Sequence, residues 1–273
     1  MEIINSFTIF FYLLGTVGYI GFLLFQKDVL NKAGRYLLLT GFFCHTFAIA
    51  YGFISSGQMP VRNLRETLCV ASWAVVCAFF LLQYKFRLKI LGAYAAPLAA
   101  FIMIISFQLP MKPVPGPDIF RSFWLVLHII FIFMGEAAFA LACGVGVLYL
   151  LQERAIKSKR PGFFFRRLPS LDLLDTTGYV CIVAGFSLLT VGLITGFVYA
   201  KAIWGKFWSA DPKEIWSVIT WLVYAALLHE RLTVGWRGKR SAIMAIAGFA
   251  VVLFTFFGVN FLLKGHHGEF TRW

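Results

Sequence analysis

An all-α, polytopic membrane fold with about eight transmembrane helices is what this sequence predicts, and three observations carry it. The first is composition: of 273 residues, 60% are hydrophobic and 14% charged, with a mean hydropathy of +0.80. Soluble domains carry about 25% charged residues, and one internal core cannot bury this much apolar surface. The second is run length. Ile3–Phe25, Tyr36–Ile54, Leu125–Leu151 and Ala242–Leu263 are nearly free of charge, and each approaches or exceeds the ~18–20 residues that cross a bilayer. The third is the uneven distribution of Lys and Arg among the connecting segments.

Taken in order, the spans fall at about 7–26, 34–54, 67–84, 89–108, 120–151, 174–200, 213–231 and 240–263. They form one domain, 1–273, without internal repeats. The first run lacks a basic leader and a small-residue cleavage site, so it is expected to remain as a helix. The loops after spans 1, 3, 5 and 7 hold 16 of the 25 Lys and Arg, and the other side holds 9. The richer side is expected to be cytoplasmic, which puts both termini and the loops 55–66, 109–119 and 201–212 outside. Span 5 is overlong at 32 residues, about 48 Å against a hydrocarbon core of about 30 Å. With its inner end fixed near Gln152–Arg154, the surplus is expected to project outward and lift His128 to the outer interface.

A net charge of +13 in a soluble protein would suggest nucleic acid. Here loop Lys and Arg account for it, and no polar face interleaves basic and aromatic residues, so no nucleic-acid partner is expected. Cys44, Cys69, Cys77, Cys143 and Cys181 all lie in apolar runs without a CxxC pair and read as small buried hydrophobes.

The most distinctive stretch is the segment 201–221, a tryptophan-rich external loop that leads into span 7. It reads Trp204-Gly-Lys-Phe-Trp208-Ser-Ala-Asp211-Pro-Lys-Glu214-Ile-Trp216, then Trp221. Asp211, Pro212 and Glu214 have the spacing of a helix cap, first helical proline and capping-box acid, and tryptophans also populate interfacial belts. Their density argues for more: a flat apolar platform suits a large planar ligand such as a porphyrin. Arg62, Arg65, Arg121, Lys206 and Lys213 are candidate partners for its carboxylates. Five histidines are the candidate iron ligands. His45 lies midway along span 2, His128 at the outer end of span 5, His229 near the inner end of span 7, and His266 and His267 after span 8.

The pattern Trp204-Gly-x-Phe-Trp208-x-x-Asp211-Pro-Lys-Glu-x-Trp216 resembles the tryptophan-rich WWD signature of haem-handling proteins of cytochrome c assembly, in its CcsA/ResC (system II) branch. Further segments agree: Gly57-x-x-Pro60-x-x-Asn63-x-x-Glu66 with Trp73, Trp124-x-x-x-His128, Thr220-Trp221 with Tyr224 and His229, Gly235-Trp236-Arg237-Gly238, and Asn260 to Gly265-His266-His267. The resemblance implies a cytochrome c synthase (haem lyase) component in the bacterial cytoplasmic membrane, active with a CcsB/ResB-type subunit. It would export haem b and attach it covalently to CxxCH motifs of apocytochrome c on the outer face. It further implies that His128 and a histidine after the last span ligate the external haem iron, acting as the catalytic pair. Family spacing favours His267, with His266 its neighbour. His229 matches a ligand for haem in transit, whereas His45 has no counterpart. Trp204, Trp208, Trp216, Trp221 and Asp211 would line the haem loop. The alternative is a haem transporter or haem-binding regulator without attachment chemistry, and a more distant one is a quinone-binding redox subunit.

Overall fold

A computed structural model of the chain describes residues 2–110, 122–158 and 162–259. Every regular element among them is helical: α1 (Glu2–Phe25), α2 (Asp28–Ser56), α3 (Leu64–Phe86), a 3₁₀ turn at Lys89–Leu91, α4 (Gly92–Gln108), α5 (Phe123–Lys157), α6 (Leu171–Trp204), α7 (Pro212–Thr233) and α8 (Lys239–Leu253), which widens into a π turn at Phe254–Gly258. Each expected span meets a helix. Seven are long and apolar enough to cross a membrane. The remaining one, α7, has 22 residues, about 33 Å of rise, and carries its charges in its first and last turns.

Small residues set the helix spacing, as lipid-immersed bundles require. A Cβ on Gly18 of α1 would lie 2.5 Å from the Gly34 Cα of α2, so these two backbones touch. The α5–α6 crossing is built alike, with Gly135 and Gly185 facing each other: a Cβ on either would lie 3.1 Å from the other's carbonyl oxygen. Large apolar side chains such as Phe7, Phe43, Phe47 and Leu222 are exposed instead, as suits lipid contact.

Two sets of loops gather at opposite ends. At one end, Arg65 at the start of α3 reaches Glu2 of α1 at 3.4 Å and the Leu109 carbonyl after α4 at 3.2 Å. At the other, Arg167 donates to the Leu24 carbonyl at 3.0 Å, and Lys89 pairs with Asp28 at 2.8 Å. The alternation of loops between two sides expected from the sequence is therefore the alternation observed.

The second end also carries a staple across α6, α7 and α8. Arg231 makes a two-pronged pair with Asp175, at 2.7 and 3.0 Å. Asp175 accepts in addition from the Gly238 backbone N–H at 2.8 Å, and Arg231 donates to Ser241 Oγ at 3.2 Å. The guanidinium lies over the Tyr179 ring at 4.4 Å.

One expectation needs correction. The overlong fifth helix begins at Phe123 rather than 120, and it continues six residues past Leu151 to Lys157. Gln152, Glu153 and Arg154 do not end it, because Gln152 is buried and donates to the Leu168 carbonyl and Glu153 pairs with Lys157 one turn on at 2.6 Å. An opposite-charge pair four residues apart, such as Glu153 with Lys157, supports the helix that carries it. The helix thus starts later and ends later than the sequence suggests.

Candidate functional site

His128 sits in the second turn of α5, half-buried against α6. Its Nδ1 lies 2.8 Å from the Gly192 carbonyl oxygen. A carbonyl only accepts, so Nδ1 carries the hydrogen and the imidazole lone pair is at Nε2. That arrangement fixes both tautomer and ring orientation, as outer-shell hydrogen bonds do for metal-binding histidines. The ring fits because α6 offers glycine where it passes: a Cβ on Gly196 would stand 2.6 Å from Nδ1.

A cavity of about 200 Å³ opens beside this histidine. α5 contributes Leu125, His128, Ile132, Phe133 and Glu136; α6 contributes Leu193, Gly196, Phe197, Tyr199 and Trp204; α7 contributes Lys213, Glu214 and Ser217. Its walls are chiefly apolar, with a few polar groups converging, which is the usual make-up of a ligand site. Its volume is below the ~300–1,000 Å³ of a typical small-molecule pocket, so the described residues alone would cover only part of a large planar ligand.

The tryptophans divide. Trp204 lines the cavity and meets Tyr199 edge-on at 6.0 Å. Trp208 is exposed and leans on the cavity residue Phe197 at 5.9 Å. Trp216 packs on Phe254 at 4.5 Å, and Trp221 stacks on Phe186 and donates to Thr190 Oγ1 at 2.9 Å. The last two therefore hold α7 to its neighbours, and the platform at the cavity is Trp204 with Trp208 at its rim. Gly205, at φ +72°, ends α6 in the left-handed conformation that glycine adopts without cost, and this turns the chain into the loop.

Asp211 caps α7, accepting from the Lys213 backbone N–H at 2.9 Å, with Pro212 at the first helical position. Glu214 reaches back to Ser209, taking its backbone N–H and its hydroxyl at 2.9 Å each. Two of the candidate cations are committed elsewhere. Arg62 is tied to Glu66 at 2.7 Å, which raises its guanidinium pKa above the ordinary value, and Arg65 is held as described. Lys206 is exposed and off the cavity, and Lys213 lines it. Arg121 lies outside the described residues.

Two of the other histidines, His45 and His229, are apart from this site. His45 is wholly buried, with Nδ1 3.0 Å from Tyr12 Oη and Nε2 3.1 Å from Cys69 Sγ, so both ring nitrogens are occupied. His229 is exposed on the last turns of α7, towards the opposite end of the bundle. His266 and His267 lie outside the described residues.

Sequence reasoning passed over Glu136, the lone carboxyl in the apolar stretch Leu125–Leu151. The signal was present: a charged residue at membrane depth is costly and rarely without purpose.

Comparison with known proteins shows what the chain as a whole is similar to. The family model described as Cytochrome C assembly protein matches residues 61–267. Proteins named cytochrome c biogenesis protein CcsA are similar along most of their length. That of Guillardia theta is 37% identical over 245 residues, 82% of this chain and 81% of its own. That of Prochlorococcus marinus (strain NATL1A) is 37% identical over 266 residues, 87% of this chain and 84% of its own. That of Porphyra purpurea is 31% identical over 277 residues, 87% of each.

Proposed function

The chain belongs to the Cytochrome C assembly protein family, a multi-pass membrane protein of cytochrome c biogenesis, and from that premise we propose that it is the haem-attaching component. Ferrous haem b is the substrate, and the acceptor is an apocytochrome c bearing CxxCH. A CcsB/ResB-type subunit completes the active assembly. The observation that carries this reading is His128. Its Nδ1 is pinned to the Gly192 carbonyl, its lone pair is at Nε2, and it stands in an apolar cavity shared with Trp204.

In this reading His128 and the histidine that follows α8, His267 by family spacing, hold the iron from two sides. Trp204 and Trp208 cover the porphyrin and keep water from it. The CxxCH histidine replaces one axial ligand and brings its two thiols to the vinyl groups. Each S–H then adds across one C=C bond. Sulfur bonds one vinyl carbon and hydrogen goes to the other, so no oxidant is consumed. The protein's contribution is positional, because converting a bimolecular encounter into an intramolecular one removes much of the entropic barrier. His229, exposed on α7, serves haem in transit together with a ligand from the partner subunit.

The site faces the outer, periplasmic side in this proposal, with bacterial inner membrane as the location. The 16-to-9 charge split supports that orientation. A reporter active only in the periplasm is expected to be active when fused after Trp273 and silent when fused near Lys159. The reverse pattern would put the tryptophan loop in the cytoplasm and remove the outward reading.

The attachment itself is tested by co-expression with the partner subunit and a CxxCH reporter. Covalent haem on the denatured reporter is the expected result. Haem that stays bound to this chain and never reaches the reporter would mean a transporter or regulator instead.

A further inference from the structure

Beneath His128, α5 carries Glu136 two turns deeper into the bundle, and across the cavity α7 presents Lys213. Eight residues separate the histidine and the glutamate, about 12 Å along the axis. Glu136 and Lys213 line the same largely apolar space, a carboxyl from α5 and an ammonium from α7. Among the described residues, neither makes a hydrogen bond or a close ion pair. The titratable groups around them are His128 on α5, Tyr199 on α6, and Glu214 and Tyr224 on α7, with the cap Asp211 above Lys213.

The local sequence explains why Lys213 is the one left over. Within Asp211-Pro-Lys-Glu214, Asp211 is spent on the helix cap and Glu214 on Ser209. Proline has no side-chain donor. Lys213 and Glu214 both line the cavity, but the Glu214 carboxylate is taken up by Ser209, which leaves the Lys213 ammonium as the uncommitted charge of the four. A solitary ammonium in an apolar wall is costly unless something anionic meets it. Glu136 offsets that cost from a distance, without the hydrogen bonds that would make a closed pair.

We propose that Lys213 is the receptor for a carboxylate of the bound porphyrin and that Glu136 is its resting counter-charge. The inference rests on the haem reading above and adds to it the group that orients the ring. Iron at His128 and a propionate at Lys213 are two points of one molecule in one cavity. A porphyrin fixed at both cannot spin about the iron–nitrogen bond, so the vinyl edge is held in a set direction. Glu136 competes with the incoming carboxylate for the same cation, and its removal favours the ligand.

The test uses the full-length chain in detergent with two probes: ferrous protoporphyrin IX iron and its dimethyl ester, which lacks both anionic carboxylates. Binding is followed by the His128-dependent absorption spectrum, with His128→Ala as the control for site. The wild type is expected to prefer the free acid by about tenfold or more, the scale of one charge-assisted contact. Lys213→Met should erase that preference by weakening the free acid alone, and Lys213→Arg should retain it. Glu136→Gln should tighten the free acid and leave the ester unchanged. Equal binding of the two probes by the wild type, with the His128-dependent spectrum intact, overturns the inference and leaves the haem reading standing. So does a Lys213→Met protein that loses both probes equally. If neither probe gives a His128-dependent spectrum, both readings fall together.

Discussion

Replacing His128 by alanine is expected to reduce covalent haem attachment to background while the protein still inserts and folds. The side chain is half-buried, and its one described hydrogen bond, to Gly192 O, leaves behind an acceptor that Thr195 Oγ1 already satisfies at 3.0 Å. Truncation therefore removes the proposed iron ligand and leaves the Gly192 carbonyl still hydrogen-bonded. Free imidazole should restore part of the activity by filling the axial position. A companion variant separates ligation from simple presence of the ring. Gly196→Ala places a Cβ 2.6 Å from Nδ1, so the imidazole must move or give up Gly192. Loss of such an outer-shell contact typically lowers metal affinity by about 10- to 100-fold, and haem occupancy should fall accordingly with protein level maintained. The absorption spectrum of the reduced, purified variants decides the matter. A bis-histidine spectrum unchanged in His128→Ala would take this residue out of the site.

The second large effect is expected at the far end of the molecule. Asp175→Ala should destabilise the bundle by about 3–5 kcal/mol, the range for removing one member of a buried pair. The side chains of Arg231 and Asp175 are only 9% and 14% exposed, so the guanidinium left behind cannot recover its hydration. The Gly238 N–H and Ser241, which share the network, lose their geometry as well. Pairing the change with Arg231→Met should recover much of the loss, because it removes the stranded charge. Reversible unfolding in mixed micelles provides the measurement. A cost below about 1 kcal/mol, as for an exposed pair, would show that the staple is solvated and contributes little.

The helices were legible in the sequence because bilayer thickness imposes a length on every span, and the apolar runs declare it. The start of α7 was legible for a different reason: Asp211-Pro212 is a local chemical instruction to begin a helix, and the cap forms as those residues dictate. The Lys157 end of α5 was missed because polarity was read as termination, whereas Gln152 and Glu153 find partners within reach. The tryptophans were read as one group because spacing in the sequence does not say which neighbour each ring meets. Trp216 and Trp221 point to Phe254 and Phe186, and only Trp204 reaches the cavity. Glu136 and the carbonyl of Gly192 belong to the same class of feature. In a membrane bundle, lipid-facing and core-facing positions are equally apolar, so periodicity does not show which face of α5 meets α6.

The close contacts along α5 also set its azimuth. Gly135 is locked against Gly185 and Gly146 against the Ala242 carbonyl, and Gly192 and Gly196 receive His128. These lie along one unbroken helix of 35 residues, in which each residue turns the next by about 100°. The helix therefore transmits phase as well as height. Losing a single residue between Gly135 and His128 would swing the imidazole by more than a quarter turn, away from its carbonyl, with the transmembrane length almost unchanged. Adding seven residues would nearly restore the angle but carry the ring about 10 Å further along the axis. Length variation between this histidine and the glycine crossing below it is thus closed to the chain, although the lipid would accept it.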